Sequence, residues 1–159
     1  LPRLDTDLVA LLAEAATGRL RTTPVFADDA AVTVVCATEG YPLAPRPGDP
    51  IEGLEEARAV EGISVHAAGV AAGADGALVT AGGRVLDVTA VAPTLAQARD
   101  RAYRAVAHLS WPGLQHRSDI AEGAASAAGA ATGGSSPFWP QETAGNQDGV
   151  RPEQERGEG

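Results

Sequence analysis

The chain has 159 residues, 12 basic and 21 acidic, and carries a formal charge of −9 with its three histidines neutral. That length suits roughly one domain of about 100 to 150 residues, and so acidic a surface argues against nucleic acid or an anionic membrane as partner. All cations are arginines, and the single cysteine permits no internal disulfide, in keeping with a cytoplasmic protein.

The first residues, Leu1-Pro2-Arg3-Leu4, lack an initiator methionine and a signal-peptide layout, so the chain reads as one piece of a longer polypeptide. Leu4, Leu8, Leu11, Leu12 and Ala15 recur at spacings of three and four, which predicts a helix with its N-cap near Asp5 or Thr6 and its end at Gly18. The run Ala30 to Thr38, with Val32, Val34, Val35 and Cys36, is β-branched and continuous enough for a buried strand. From Tyr41 to Pro50 the proline rings forbid helix and leave no regular strand ladder. Short segments near Ile63 to Val70, Ala77 to Thr80 and Arg84 to Val91 are separated by Gly73-Ala74-Asp75-Gly76 and Ala81-Gly82-Gly83, a pattern that predicts an antiparallel meander. Thr94 and Gln97 form a capping box. Behind it Leu95, Ala98, Ala102, Ala105, Val106 and Leu109 make an apolar stripe, with Arg99, Asp100, Arg101 and Arg104 turned to water. One helix over an antiparallel sheet gives an α+β domain. From Ala121 to Gly159 six acids stand against two arginines, a charge of −4, with too little bulky apolar surface to offset ordering entropy. That tail is predicted to be disordered, and Pro137-Phe138-Trp139-Pro140 is its one conceivable docking motif.

No cluster of histidine, cysteine or carboxylate has metal-ligand spacing, and no nucleophile elbow or Walker-type phosphate loop is present. His108 falls at the end of the capped helix, where a cation suits the dipole. Cys36 reads as a small core residue because no cation neighbours it. Two loops stand out. In Gly82-Gly83-Arg84 the glycines allow positive φ and close backbone approach, and Arg84 can hold a carboxylate or phosphate by a bidentate fork. Spacing alone favours the plainer alternative of a Gly-Gly hairpin turn with a surface arginine. The second is Thr38-Glu39-Gly40-Tyr41-Pro42, a strand end that breaks into a rigid loop.

Several stretches, in order, resemble the C-terminal region of the phosphoribosylamine–glycine ligase (glycinamide ribonucleotide synthetase) family. They are Leu1-Pro2-Arg3-Leu4 with Asp7-Leu8, Ala31 to Val35 leading to Gly40-Tyr41-Pro42, and Gly48-Asp49-x-Ile51-x-Gly53-Leu54. Leu78-Val79-Thr80-x-Gly82-Gly83-Arg84-Val85-Leu86, Ala98-Arg99-x-Arg101-Ala102-Tyr103 and Arg117-Ser118-Asp119-Ile120 continue the match over about 120 residues. The histidine of Val65-His66-Ala67-Ala68-Gly69 is displaced by one position from the family's pattern, Asp87 stands where a small residue is usual, and Gln115-His116 replaces the usual aromatic before Arg117.

The resemblance implies an ATP-grasp ligase that joins glycine to 5-phosphoribosylamine through a glycyl phosphate in purine synthesis, with ATP and Mg2+ (or Mn2+) bound upstream of this chain. By the same resemblance residues 1–22 end the ATP-grasp domain and 23–120 form a small α+β C-terminal domain with an antiparallel sheet packed with helices, while the tail, 121–159, has no counterpart in the family. It makes Arg84, Gly82, Gly83, Arg3 and Tyr41 substrate contacts, and it leaves the piece alone without catalytic residues or a metal site. A non-catalytic binding or interaction module that keeps the fold is the alternative.

Overall fold

In the computed structural model, which describes residues 1–130, the centre of the fold is a nine-residue strand, β5 (Arg84–Ala92), held between β1 (Ala30–Ala37) and β2 (Ile63–Ala67). Both neighbours run antiparallel to it, with Val34 and Val65 each opposite Val88, and Val32 and Ile63 each opposite Ala90. Alternation therefore sends Val32, Val34 and Cys36 to the same side as Leu86, Val88 and Ala90, and all six are buried. Helix α3 (Leu95–Val106) lies across that side with Ala98, Ala102, Ala105 and Val106 buried. Three of those four are alanines, so the helix backbone can approach the sheet closely. Fully burying a valine stabilises by about 1.5–3 kcal/mol, whereas surface ion pairs such as Arg46–Glu39 contribute about 0–1. The interior of the sheet, not surface charge, holds this domain together.

Several sequence expectations hold. Strand β1 spans the predicted run, and Thr94 caps α3 by accepting the Gln97 N–H at 3.2 Å. The meander does not. Strand β2 passes over its neighbours to pair with β5, while β3 (Val70–Ala72) and β4 (Leu78–Thr80) form a separate two-stranded sheet around the Gly73–Gly76 turn. The free edge of β4 is bonded by the end of the proline-rich loop. Gly48 N–H donates to Thr80 O (2.7 Å), Thr80 N–H to Asp49 O (2.8 Å) and Ile51 N–H to Leu78 O (2.9 Å). A ladder thus forms where the prolines argued against one, because the residues on either side of Pro50 supply the donors and acceptors.

A short helix, α2 (Leu54–Ala59), starts at Gly53 with φ +76° and no side-chain cap, so it carries no N-cap signal in sequence. Helix α1 (Leu8–Ala16) is capped by Asp7, which accepts the Ala10 N–H at 3.0 Å, rather than by Asp5 or Thr6. Leu4 lies outside it, in a bridge to Phe26. His108 lies two residues past the end of α3. Arg99 and Arg101 are half-buried, not turned to water, because both reach backbone carbonyls. Helix α4 (Glu122–Ala130) occupies the first residues of the stretch read as a disordered tail; the rest of that stretch, with Pro137-Phe138-Trp139-Pro140, lies outside the described residues. Among the described residues no helix is long and apolar enough to cross a membrane, and no three histidine, cysteine or acidic side chains form a group that could hold a metal ion.

Candidate functional site

The sheet's other face is open. Thr33, Val35, Ser64 and His66 are exposed on it, Asp87 is partly exposed, and the hydroxyls of Thr33 and Thr89 bond across the strands at 2.8 Å. Strict alternation from Leu86 would send Arg84 into the core. A β-bulge prevents that: Cys36 pairs with Leu86, but the next rung joins Ala37 to Arg84, leaving Val85 as the extra residue. Val85 is fully buried and Arg84 emerges on the open face beside Val35.

The turn before Arg84 is built for contact, not for an unusual backbone. Neither Gly82 nor Gly83 takes a positive φ, contrary to expectation, and they do not close a hairpin, since β4 and β5 belong to different sheets. What they require is space. A Cβ on Gly83 would overlap the Tyr41 ring, and a Cβ on Gly69 would lie 2.9 Å from both N and Cα of Gly82. Fully buried Thr38 ties the two loops together. Its N–H donates to Gly83 O at 2.9 Å, and its hydroxyl faces Gly82 O at 3.3 Å and Gly83 O at 3.4 Å. Two residues on, Gly40 turns the chain with φ +77°, and its carbonyl accepts the Ala44 N–H at 2.8 Å. Tyr41 is thereby laid against Gly83.

A third segment completes the site. Gln115 exchanges backbone bonds with Ala37 (2.8 and 3.0 Å), and its side-chain amide donates to Thr38 O. His116 and Arg117 follow. The loop that carries them is pinned to α3 by the Tyr103 hydroxyl, which donates to Arg117 O at 2.7 Å and accepts from Ile120 N–H at 3.1 Å. Arg99 adds bonds to Ser118 O (2.8 Å) and Ile120 O (3.0 Å) while its guanidinium sits 4.8 Å from the Tyr103 ring centre. The Ala98–Tyr103 and Arg117–Ile120 motifs are therefore a clamp that places a loop. Arg117 binds Asp119 through both carboxylate oxygens, at 2.8 and 2.5 Å. That hydrogen bond holds the Asp119 carboxyl below its usual range and raises the Arg117 guanidinium.

Together these segments enclose a cleft of about 350 Å3. Val35 and Ala37 form its apolar floor, Tyr41 and Arg84 one side, and Gln115 to Arg117 the other. Of the residues the resemblance names as substrate contacts, the structure brings Tyr41, Arg84 and the Gly82-Gly83 turn together. Arg3 does not join them. Its Nε and Nη2 donate to Ala27 O at 3.1 and 2.8 Å, closing the N-terminal segment on itself. His116 was missed, and its only trace in sequence is the departure from an aromatic before Arg117. Cys36 is buried on the core face, and burial, with the Asp87 charge second, pushes its thiol up to about 12. A wider depression on the outer side of α3, about 730 Å3, mixes Asp100 with Arg101 and Arg104 and touches none of the strand ends or loops above.

Residues 31–123 match the family model described as phosphoribosylglycinamide synthetase, C domain. The phosphoribosylamine–glycine ligase of Streptomyces coelicolor is 52% identical over 130 residues, which is 80% of this chain and 31% of that protein. The enzyme of the same name from Brucella melitensis is 45% identical over 119 residues, 74% of this chain and 28% of that protein. The crystal structure of phosphoribosylamine–glycine ligase from Thermotoga maritima superposes with a TM-score of 0.61 at 37% identity, covering 70% of this chain and 27% of that one. The chain spans less than a third of the length of these relatives.

Proposed function

Because the chain belongs to the phosphoribosylglycinamide synthetase C-domain family, we propose that it serves as the C-terminal domain of a phosphoribosylamine–glycine ligase. The observation that carries this reading is that the matched span, 31–123, contains every residue lining the cleft. The parent enzyme joins glycine to 5-phosphoribosylamine at the expense of ATP, with the nucleotide and its Mg2+ or Mn2+ held upstream of Leu1. Residues 1–22 end that upstream domain, and 23–120 form the unit described above.

The chain's own contribution is to wall one side of the substrate site. Arg84 is suited to this by its bulge, which places an unpaired guanidinium at the mouth of the cleft; among the described residues it makes no ion pair or side-chain hydrogen bond. Such a fork pairs with a carboxylate or phosphate through two parallel bonds. Tyr41 supplies a phenol beside it, and Gly82 and Gly83 keep the two loops in contact. Fixing the substrate in this way lowers the barrier by orientation.

The test is kinetic. This chain incubated with ATP, Mg2+, glycine and 5-phosphoribosylamine releases no ADP, whereas the full parent does; turnover by the chain alone would sink the assignment. In the parent, Arg84→Ala raises KM for one of the two substrates by about tenfold, the effect of losing roughly 1.4 kcal/mol of binding. Unchanged KM values for both would return Arg84 to a surface residue.

A further inference from the structure

Both walls of the cleft spring from segments that meet at one arginine outside it. Arg46 lies in the proline-rich loop and does not line the cavity, nor do Glu39, Asp49 or Pro112. Its guanidinium nonetheless reaches all three. Nη1 donates to Glu39 Oε2 at 3.1 Å, Nε and Nη2 fork onto the Asp49 carboxylate at 3.1 to 3.3 Å, and Nη2 also reaches Pro112 O at 3.5 Å. The Arg46 N–H donates to Glu39 O at 3.1 Å, so backbone and side chain together close the loop at its base. Glu39 stands just past the end of β1, and Asp49 N–H is held by the buried Thr80 hydroxyl at 3.0 Å. Pro112 lies in the turn, closed by Leu114 N–H on Trp111 O at 3.1 Å, that leads to Gln115. Gly113 in that turn has φ +72°, and a Cβ there would lie 2.5 Å from Glu39 Cβ, so the absence of a side chain lets Glu39 pack against it. The loop needs such a fastening. Residues 41–48 are all exposed, Leu43 at 95%, so burial does not hold Tyr41 in place.

We propose that Arg46 is a positioning residue that locks the two walls of the cleft, Tyr41 on one side and Gln115 to Arg117 on the other, at a fixed separation. Arginine suits the task because its planar guanidinium carries five donors in a rigid fork and can hold two carboxylates and a carbonyl at once. A lysine ammonium is a single point charge on a flexible stem. Exposed ion pairs add little to global stability, so this clasp sets geometry while the buried layer holds the domain together. Its effect on substrate binding rests on the ligase reading; the coupling of the two walls does not.

Backbone amide exchange in this chain tests the coupling. Arg46→Ala is expected to speed exchange of the Tyr41 and Ala44 N–H groups on one wall, and of the Gln115 N–H on the other, about tenfold or more. Val88 and Ala90 in the centre of β5 stay within about twofold. Arg46→Lys keeps the charge and leaves Gln115 as fast as Arg46→Ala does. Full rescue by lysine, or acceleration confined to Tyr41 and Ala44, overturns the proposal. Glu39→Gln keeps its shape against Gly113 and weakens the clasp, so it produces the same two-sided acceleration in smaller degree. That variant decides the matter if Arg46→Ala also lowers protection in β5, and a one-sided response to it overturns the proposal. In the parent enzyme Arg46→Ala raises the same KM as Arg84→Ala, by about three- to tenfold, and leaves kcat within about twofold. Arg58→Ala, which breaks the exposed pair with Glu55 (3.0 Å) on α2, changes neither. An unchanged KM, or a fall in kcat at constant KM, refutes the role of Arg46 in substrate binding. A parent without any ligase activity refutes the ligase reading instead, and the exchange result then decides the clasp by itself.

Discussion

Helices α1 and α3 invert the usual expectation about hydrophobicity and burial. Helix α1 reads LVALLAEAA and has no buried residue; Val9 and Leu12 are 75% and 58% exposed. Helix α3 reads LAQARDRAYRAV, carries four charges and buries four residues against the sheet. The difference lies in what stands opposite. The alanines of α3 meet a flat layer of Val34, Leu86 and Val88, while α1 is held by Asp7 at its start and by Glu14 at its end, both local bonds. A nine-residue helix is marginal without tertiary packing, so α1 rests on those end bonds while its apolar residues stay exposed. Composition measures how much a helix gains from burial; the fold decides whether it is buried.

Five measurements would break or sharpen that contrast. The largest effect concerns the inner layer. With its thiol raised to about 12, Cys36 has about a thousandfold less thiolate than an ordinary cysteine, so alkylation at pH 8 should proceed only through unfolding. Rapid labelling of the native chain would show the layer to be open. Next is Gly53→Ala. Gly53 sits at φ +76° with the His108 carbonyl against it, and a Cβ there costs about 3 kcal/mol or more, read as a lower urea midpoint at constant slope. An unchanged midpoint would mean that α2 is not anchored to the end of α3.

Substitutions on the two helices test the contrast directly. Ala102→Leu inserts a bulky side chain between α3 and the sheet and should cost about 1–3 kcal/mol. Leu12→Ala in this chain should change stability by less than about 0.5 kcal/mol, and in the parent by about 2 kcal/mol or more if the upstream domain covers α1. Equal, small effects in both proteins would separate residues 1–22 from that domain. The smallest effect is one of pH. Backbone bonds from Thr22 and Arg21, and the Thr22 hydroxyl, hold the Glu14 carboxyl below its usual value. That contribution is fully present above the ordinary glutamate range and is lost as pH falls through the lower folded value. NMR signals of residues 14–22 should broaden in acid while those of β5 stay sharp; simultaneous loss of both would make the N-terminal segment part of one cooperative unit.

What was legible in the sequence followed periodicity and capping. The Val32–Val34–Cys36 alternation and the Thr94 cap each depend on a few adjacent residues, so their pattern survives in one dimension. The partner of β2 was illegible because the three-residue strands β3 and β4 intervene, and which strand Val65 joins depends on Val88, twenty-three positions away. In the cleft, the resemblance pointed to Arg84, Gly82, Gly83 and Tyr41, but Arg3 bonds to Ala27 instead. His116 enters only because Tyr103 and Arg99, on another element, hold its loop in place.

By itself the sequence determined an acidic α+β unit, its family and the residues able to hold an anion, since composition, period and motif order are properties of the chain alone. Tertiary structure decided which of those residues meet. One bulged residue at Val85 turns Arg84 out of the core and onto the open face. No local preference in Gly82-Gly83-Arg84 contains that outcome, because a bulge is a mismatch between two strands and exists only once β1 and β5 have paired.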